Sequence, residues 1–227
     1  MMNPIAEHKR MPRVGQRGYT ILLLALLALW LLGPIFDLFG LDEAGEVILI
    51  SVALIAAADV MRGKGARFFL VVGMGVCLGI MLWLHFSSPL GAGAYFGMNL
   101  IGVLFFGAVA VELLIAILAP HRKVTMSLIH GAIAVYLLIG VCFSFVYLLV
   151  FSADPTAFRG VEGAAAAFNE FLYFSFVTLT TLGYGDVTPV TRIGGSLATM
   201  EATLGQIYLT VLVARLVGMQ ISQQGTD

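Results

Sequence analysis

Six long apolar runs divide this chain, and they constrain its fold more than any other feature. They lie near residues 19–39, 46–60, 68–88, 94–118, 126–151 and 194–218. A helix needs about 20 apolar residues to cross a bilayer, because the hydrocarbon core is about 30 Å thick. Five runs reach this length easily, and the second would have to begin near Glu43 or extend toward Met61. The runs therefore predict an all-α membrane protein with six transmembrane helices.

The composition agrees with a membrane location. Of the 227 residues, 60% are hydrophobic and 11% are charged, whereas soluble domains are about half apolar and about a quarter charged. Cys77 and Cys142 both lie inside apolar runs, so we interpret them as small buried side chains rather than as a disulfide or metal site. No cluster of Ser, His, Asp or Cys converges at one depth in the sequence pattern. We therefore expect neither an enzyme nor a nucleic-acid partner.

Basic residues are concentrated in alternate loops of the six-span arrangement. Ten of the twelve Lys and Arg residues precede the first span, separate the second from the third or the fourth from the fifth, or close the sixth. Basic residues favour cytoplasmic loops. We therefore expect a multi-pass protein of the cell membrane (plasma or inner membrane) with both termini in the cytoplasm. Residues 155–193, between the last two spans, then open from the outside.

The segment between the last two spans does not read as a seventh span. Residues Ala164 to Thr180 are compatible with a helix but are too short and too polar to cross the bilayer, and a Gly-rich turn and Pro189 follow them. Irregular backbone at membrane depth is tolerated only when protein buries it or when it lines a water-filled path. The pattern therefore predicts a re-entrant pore helix followed by an extended return.

The sequence Tyr-Phe-Ser-Phe-Val-Thr-Leu-Thr-Thr-Leu-Gly-Tyr-Gly-Asp, residues 173–186, resembles the pore helix and selectivity filter of potassium channels. The family signature is T-V-G-Y-G-D, with Leu182 here in place of Val, and the likeness covers about residues 125–219. Glycine adopts positive φ at low cost, which lets successive carbonyls turn toward one axis. Four such loops would form rings of oxygens that replace the hydration shell of K⁺. The resemblance implies permeant K⁺ and no other cofactor, with filter residues Thr181, Leu182, Gly183, Tyr184 and Gly185.

Within this resemblance, the carbonyls of residues 181–184 and the Thr181 hydroxyl bind K⁺, and Gly185 ends the filter at the outer mouth. Leu182 and Tyr184 are expected to point away from the axis and to pack against the pore helix. Tyr173 stands where the family often places an aromatic donor to the acid, here Asp186. Val177 replaces an acid found in some members, which predicts a filter that relies on the Tyr173–Asp186 contact and inactivates. The expected supporting residues are Tyr173, Val177, Thr178, Thr180 and Asp186.

The last span contains the candidate gating residues. Gly205 lies 19 residues past Asp186, where potassium channels commonly carry a hinge glycine. A glycine within a helix costs about 1 kcal/mol relative to alanine, so either a hinge or close packing against the pore helix must offset it. Glu201, one turn earlier on the same face, is expected to form a hydrogen bond behind the pore helix rather than to meet ions. Candidate cavity and lower-pore residues follow at helical spacing: Gln206, Leu209 and Val213.

The first half of the chain is predicted to be an accessory bundle. Six spans with the filter between the last two resemble the voltage-gated arrangement, but a voltage sensor needs several basic residues along its fourth span. Residues 94–118 contain no Lys or Arg and are rich in glycine, which favours close helix packing. We therefore predict a non-sensing four-span bundle (1–123), a pore domain (124–219) and a tail (220–227) too short for a ligand-binding gating domain.

A single filter strand cannot enclose an ion, so a homotetramer in the lipid bilayer is expected. The favoured interpretation is a voltage-insensitive K⁺-selective channel subunit that conducts K⁺ passively. The intact Gly183-Tyr184-Gly185 argues against a weakly selective cation channel, and the single pore loop argues against a K⁺ transporter subunit. A non-conducting regulatory membrane subunit is the alternative that the sequence does not exclude. All three alternatives retain the membrane helices and differ in what passes through the assembly.

Overall fold

The computed structural model of this chain is almost entirely helical. It describes residues 16–39, 42–60, 72–73, 75–76, 78–80, 92–119, 125–161 and 167–224. The elements in these ranges are, in order, α1 (Gln16–Leu38), α2 (Asp42–Val60), α3 (Ala92–Leu118), α4 (Met126–Ala153), β1 (Phe158–Arg159), α5 (Ala167–Leu179), β2 (Thr188–Pro189) and α6 (Arg192–Gln224).

Three of the described helices are long and apolar enough to cross a membrane: Gly93–Leu118, Met126–Ala153 and Arg192–Met219. Shorter apolar helices are Gly18–Gly33 and Val47–Val60. A largely helical membrane protein is thus confirmed. Most of the predicted third span, 68–88, lies outside the described residues, and so does Cys77. One helix end differs from expectation, because α6 continues to Gln224 and so enters the predicted tail.

The central helix is α4, which packs against α1, α3, α5 and α6. Its first turn is capped by Thr125, whose hydroxyl accepts a hydrogen bond from the Leu128 amide at 3.2 Å. Such a cap satisfies one of the amides that a helix start leaves unpaired. Gly102 of α3 faces Phe145 so closely that a Cβ would lie 2.5 Å from the ring. The glycine-rich pattern of α3 therefore does serve close helix packing.

Aromatic rings fill the space between α4 and α5. Tyr147 lies in the middle of this cluster, with ring centroids 4.8 Å from Phe174 and 5.6 Å from Phe158. Phe171 completes it at 4.8 Å from Phe158. Edge-to-face pairs of this kind add to the free energy gained by burying the rings. The cluster holds the short helix α5 at a fixed angle against the long helix α4.

The first helix reaches the same region. The Trp30 ring of α1 lies 4.8 Å, centroid to centroid, from Phe176 of α5. The Phe176 ring also packs against Gly140 of α4, where a Cβ would lie 2.8 Å from the ring. Helix α5 is therefore held between α1 and α4, while α6 covers another side.

Candidate functional site

Helix α5 ends in a tight turn that starts the Gly-rich segment. The amides of Leu182 and Gly183 both donate to the Val177 carbonyl, at 2.9 and 3.3 Å, and the Thr181 amide donates to Thr178 at 2.9 Å. The Thr180 hydroxyl donates to the Phe176 carbonyl at 2.7 Å. These bonds tie the start of the segment to the last turn of α5. Val177 contributes its backbone carbonyl to this turn, a role that its apolar side chain did not predict.

The backbone after this turn alternates in handedness. Positive φ occurs at Thr181 (59°), Gly183 (61°) and Gly185 (79°), with negative φ at the residues between them. Alternating conformations of this kind turn successive N–H groups to one side of the chain, which leaves the carbonyls on the other. The two glycines fit the sequence prediction. The left-handed conformation of Thr181 was not predicted, and it costs about 1–2 kcal/mol in an L-residue.

The side chains of this segment are exposed in the single chain. Leu182 is 57% exposed, and its packing against α5 stays a prediction. Tyr184 is 68% exposed but does contact α5, because its ring stacks on Tyr173 with centroids 6.5 Å apart and planes 5° apart. The contact between the tyrosines therefore connects the segment to α5.

The predicted contact between Tyr173 and Asp186 is confirmed. The Tyr173 hydroxyl donates to Asp186 Oδ2 at 2.6 Å, and the Val187 amide donates to Oδ1 at 2.9 Å. These two donors, the tyrosine first, lower the pKa of Asp186 below its ordinary value, because hydrogen bonds to the charged form favour it. Asp186 is thus held as a carboxylate at the end of the segment.

Replacing Tyr173 with Phe removes this donor and keeps the ring stack on Tyr184. We expect the pKa of Asp186 to rise toward its ordinary value, and any current to decay faster during prolonged activity. The hydrogen bond keeps Asp186 ionised down to a lower pH. Without it, Asp186 should become protonated at a higher pH than in the original protein, and acid should speed the decay there. Patch-clamp recording of current decay at several external pH values tests this. Unchanged decay would show that the alternating segment does not rely on the contact.

A two-stranded antiparallel sheet supports the same end of the segment. Strands β1 and β2 pair antiparallel, with Phe158 opposite Pro189, and the Val190 amide donates to the Ala157 carbonyl at 2.8 Å. Gly160, with φ 86°, lies so close to Asp186 that a Cβ would overlap the Asp186 carbonyl oxygen. Sequence reasoning missed this strand pair and Gly160, because a two-residue strand leaves no periodic pattern.

Glu201 lies behind α5, as predicted. Its side chain is fully buried, and its carboxyl oxygens accept hydrogen bonds from the hydroxyls of Tyr147 and Ser175, each at 2.5 Å. The Ser175 hydroxyl also lies 2.7 Å from the Gly140 carbonyl. This network joins α4, α5 and α6 at one point. Its partners Tyr147 and Ser175 were not predicted, since they are distant in sequence and lie in apolar helices.

The structure favours the packing alternative for Gly205. A Cβ at this position would lie 2.6 Å from the Leu179 carbonyl oxygen and 2.8 Å from its Cδ1, and α6 runs through it without interruption. The same carbonyl accepts a hydrogen bond from Tyr136 at 3.2 Å. The predicted cavity residues of α6 are exposed in the single chain: Gln206, Leu209 and Val213.

Among the described residues, no group of three or more His, Cys, Asp or Glu side chains could hold a metal ion. Cys142 is a half-buried free thiol that donates to the Val103 carbonyl at 3.6 Å. The backbone carbonyls of the alternating segment are candidate ligands for a cation of another kind. Carbonyl oxygens are the kind of ligand that binds a dehydrated alkali cation.

One family profile and three known proteins resemble parts of this chain. The sequence profile of a family described as "Ion channel" matches residues 133–222. Protein LctB of Geobacillus stearothermophilus is 43% identical over 68 residues, which cover 30% of this chain and 48% of that protein. Two-pore potassium channel 4 of Arabidopsis thaliana is 34% identical over 90 residues, 40% of this chain and 28% of that protein.

A second LctB, from Bacillus caldotenax, is 26% identical over 130 residues, which cover 54% of this chain and 94% of that protein. The chain spans less than half the length of the other two relatives. Residues 133–222, which the family profile matches, contain most of α4, all of α5, the alternating segment and most of α6.

Proposed function

We propose that this chain is one subunit of a K⁺-selective channel, because residues 133–222 match the profile of a family described as "Ion channel" and part of the chain is 34% identical to a two-pore potassium channel. The observation that carries the proposal is the alternation of φ over residues 181–185 directly after α5. The carbonyls of Thr181, Leu182, Gly183 and Tyr184 bind permeant K⁺, with Gly185 at the outer mouth and no other cofactor.

The channel is proposed to be a homotetramer, because the carbonyls of one segment cannot surround an ion. Helix α6 supports this, since almost none of it is buried in the single chain although it is long enough to span a membrane. An apolar exposed helix face is accounted for by lipid or by other subunits. In the tetramer, α6 would contact its symmetry copies and line the path below the filter.

A polar stripe on α6 supports the same arrangement. Its exposed members recur at intervals of three and four residues, which places them on one helix face: Thr199, Thr203, Gln206 and Thr210. The threonine hydroxyls donate to carbonyls one turn earlier in α6, at 2.8–2.9 Å, so their oxygens can still accept. Polar groups facing hydrocarbon are unfavourable. A water-filled cavity, continued downward by Leu209 and Val213, accounts for the stripe.

The topology is proposed to be six spans in the cell membrane, with both termini in the cytoplasm. The pore domain then extends over residues 124–219, and 1–123 form an accessory bundle. Gating by voltage is not proposed, because α3 contains no Lys or Arg, whereas a voltage sensor carries several basic residues along its fourth span. The support residues are those that fix the filter to α5: Tyr173, Val177, Thr178, Thr180 and Asp186.

Purified full-length protein in liposomes loaded with K⁺ tests conduction. We expect K⁺ release well above that of protein-free liposomes when a proton carrier balances the charge. Release equal to the protein-free background, from protein that elutes as a well-folded assembly, would favour the non-conducting regulatory subunit. A weakly selective cation channel would release K⁺ and Na⁺ equally well.

A further inference from the structure

A cavity of about 350 Å³ lies between α3, α4 and α6. This volume falls within the range of small-molecule binding pockets. Val111, Ile207 and Val211 are each about half exposed, so the cavity opens sideways between the helices instead of being sealed. Its walls are almost entirely apolar and include Gly107, Val111, Cys142, Phe143, Ile207 and Val211. Hydrocarbon is the material that such walls accept most favourably.

One wall residue carries a charge. Arg215 lines the cavity, and one terminal nitrogen of its guanidinium donates to the Ala119 carbonyl at 2.8 Å. Ala119 directly follows the last residue of α3, so the guanidinium lies level with a helix end, where a bilayer places its headgroups. Its Nε is buried and has no hydrogen-bond partner in the part of the chain that the structure describes.

We infer that this cavity holds an acyl chain of an anionic phospholipid and that Arg215 binds the headgroup phosphate. The Ala119 carbonyl is neutral and uses one of the five guanidinium N–H donors, so donors and charge remain for an anion. Guanidinium binds phosphate through paired charge-assisted hydrogen bonds, and basic pockets between membrane helices recognise anionic headgroups. The inference concerns lipid binding and does not depend on whether the chain conducts K⁺.

The headgroup contact is tested with purified full-length protein in micelles containing equal amounts of dioleoyl phosphatidylglycerol and dioleoyl phosphatidylcholine. Native mass spectrometry counts the lipids that each assembly retains. We expect roughly fivefold preference for phosphatidylglycerol, the equivalent of about 1 kcal/mol for one basic residue at an anionic headgroup. Arg215→Gln should remove the preference. Arg192→Gln, which removes an exposed arginine from the other end of α6, should keep it.

The acyl-chain contact is tested separately. Val111→Trp places a large ring at the rim of the cavity and should lower retention of both lipids. Ile115→Trp is the matched control, because Ile115 is 57% exposed on the same helix and does not line the cavity. Three results would overturn the inference: no lipid preference in the original protein, equal behaviour of the two arginine variants, or cross-linking of Val111→Cys to a second copy, which would place another subunit in the cavity.

Discussion

Gly183→Ala is expected to reduce K⁺ flux through the reconstituted protein by roughly a hundredfold or more. Gly183 has φ 61° with open space around it, so alanine meets no clash and the cost is conformational. A left-handed L-residue costs about 1–2 kcal/mol, or about 4–8 kcal/mol over four subunits of the proposed tetramer. Thr181 already carries such strain in the same segment. The segment would therefore leave the alternating conformation, and its carbonyls would no longer face one side.

The matched control is Gly195→Ala. Gly195 lies in α6 at negative φ and likewise has open space where a Cβ would stand. Alanine favours a helix over glycine by about 1 kcal/mol, so this variant should fold at least as well as the original protein. The measurement is K⁺ release from liposomes at equal protein incorporation. Equal flux through the Gly183 and Gly195 variants would contradict a conducting role for the alternating segment.

Glu201→Ala is expected to destabilise the protein strongly. The substitution removes both carboxyl oxygens from a fully buried site and leaves the Tyr147 hydroxyl without its partner in the network. A buried unpaired polar group costs about 1–3 kcal/mol, and the cavity left behind adds to this. The melting temperature in detergent should fall by an amount on the order of 10 °C. Because the site joins three helices, flux should fall as well.

Glu201→Gln separates hydrogen bonding from charge at the same site. The Ser175 hydroxyl has one proton but two neighbours that accept, the Gly140 carbonyl and Glu201. A glutamine amide can donate to Ser175 and accept from Tyr147, so it satisfies the network without charge. We expect this variant to melt close to the original protein. A loss as large as that of Glu201→Ala would show that the network depends on the carboxyl group itself.

The parts of the site that the sequence predicted are those governed by local spacing. The alternation at Gly183 and Gly185 follows from glycine's tolerance of positive φ. Tyr173 and Asp186 are only 13 positions apart, on either side of one turn. The burial of Glu201 also follows from a local rule, because an acid in a membrane helix needs partners.

The parts that could not be predicted depend on which distant residues meet. Tyr147 is 54 positions from Glu201 and lies in an apolar helix with no polar pattern around it. Gly205 had two equally reasonable explanations until the position of Leu179 was known. A left-handed backbone conformation is unfavourable for threonine, so Thr181 adopts it because of the structure around it, which the sequence does not show. The contact of α1 with α5 through Trp30 and Phe176 likewise has no signature in either segment.

Selective conduction of K⁺ is tested most directly by the reversal potential of single channels in a planar bilayer, with K⁺ on one side and Na⁺ on the other. We expect K⁺ alone to carry the current, so that the reversal potential shifts far from zero toward the K⁺ equilibrium potential. This result would agree with carbonyl rings at Thr181–Tyr184 that replace the hydration shell of K⁺ and fit Na⁺ poorly. A reversal potential near zero would mean that both ions pass equally and would contradict a K⁺-selective filter.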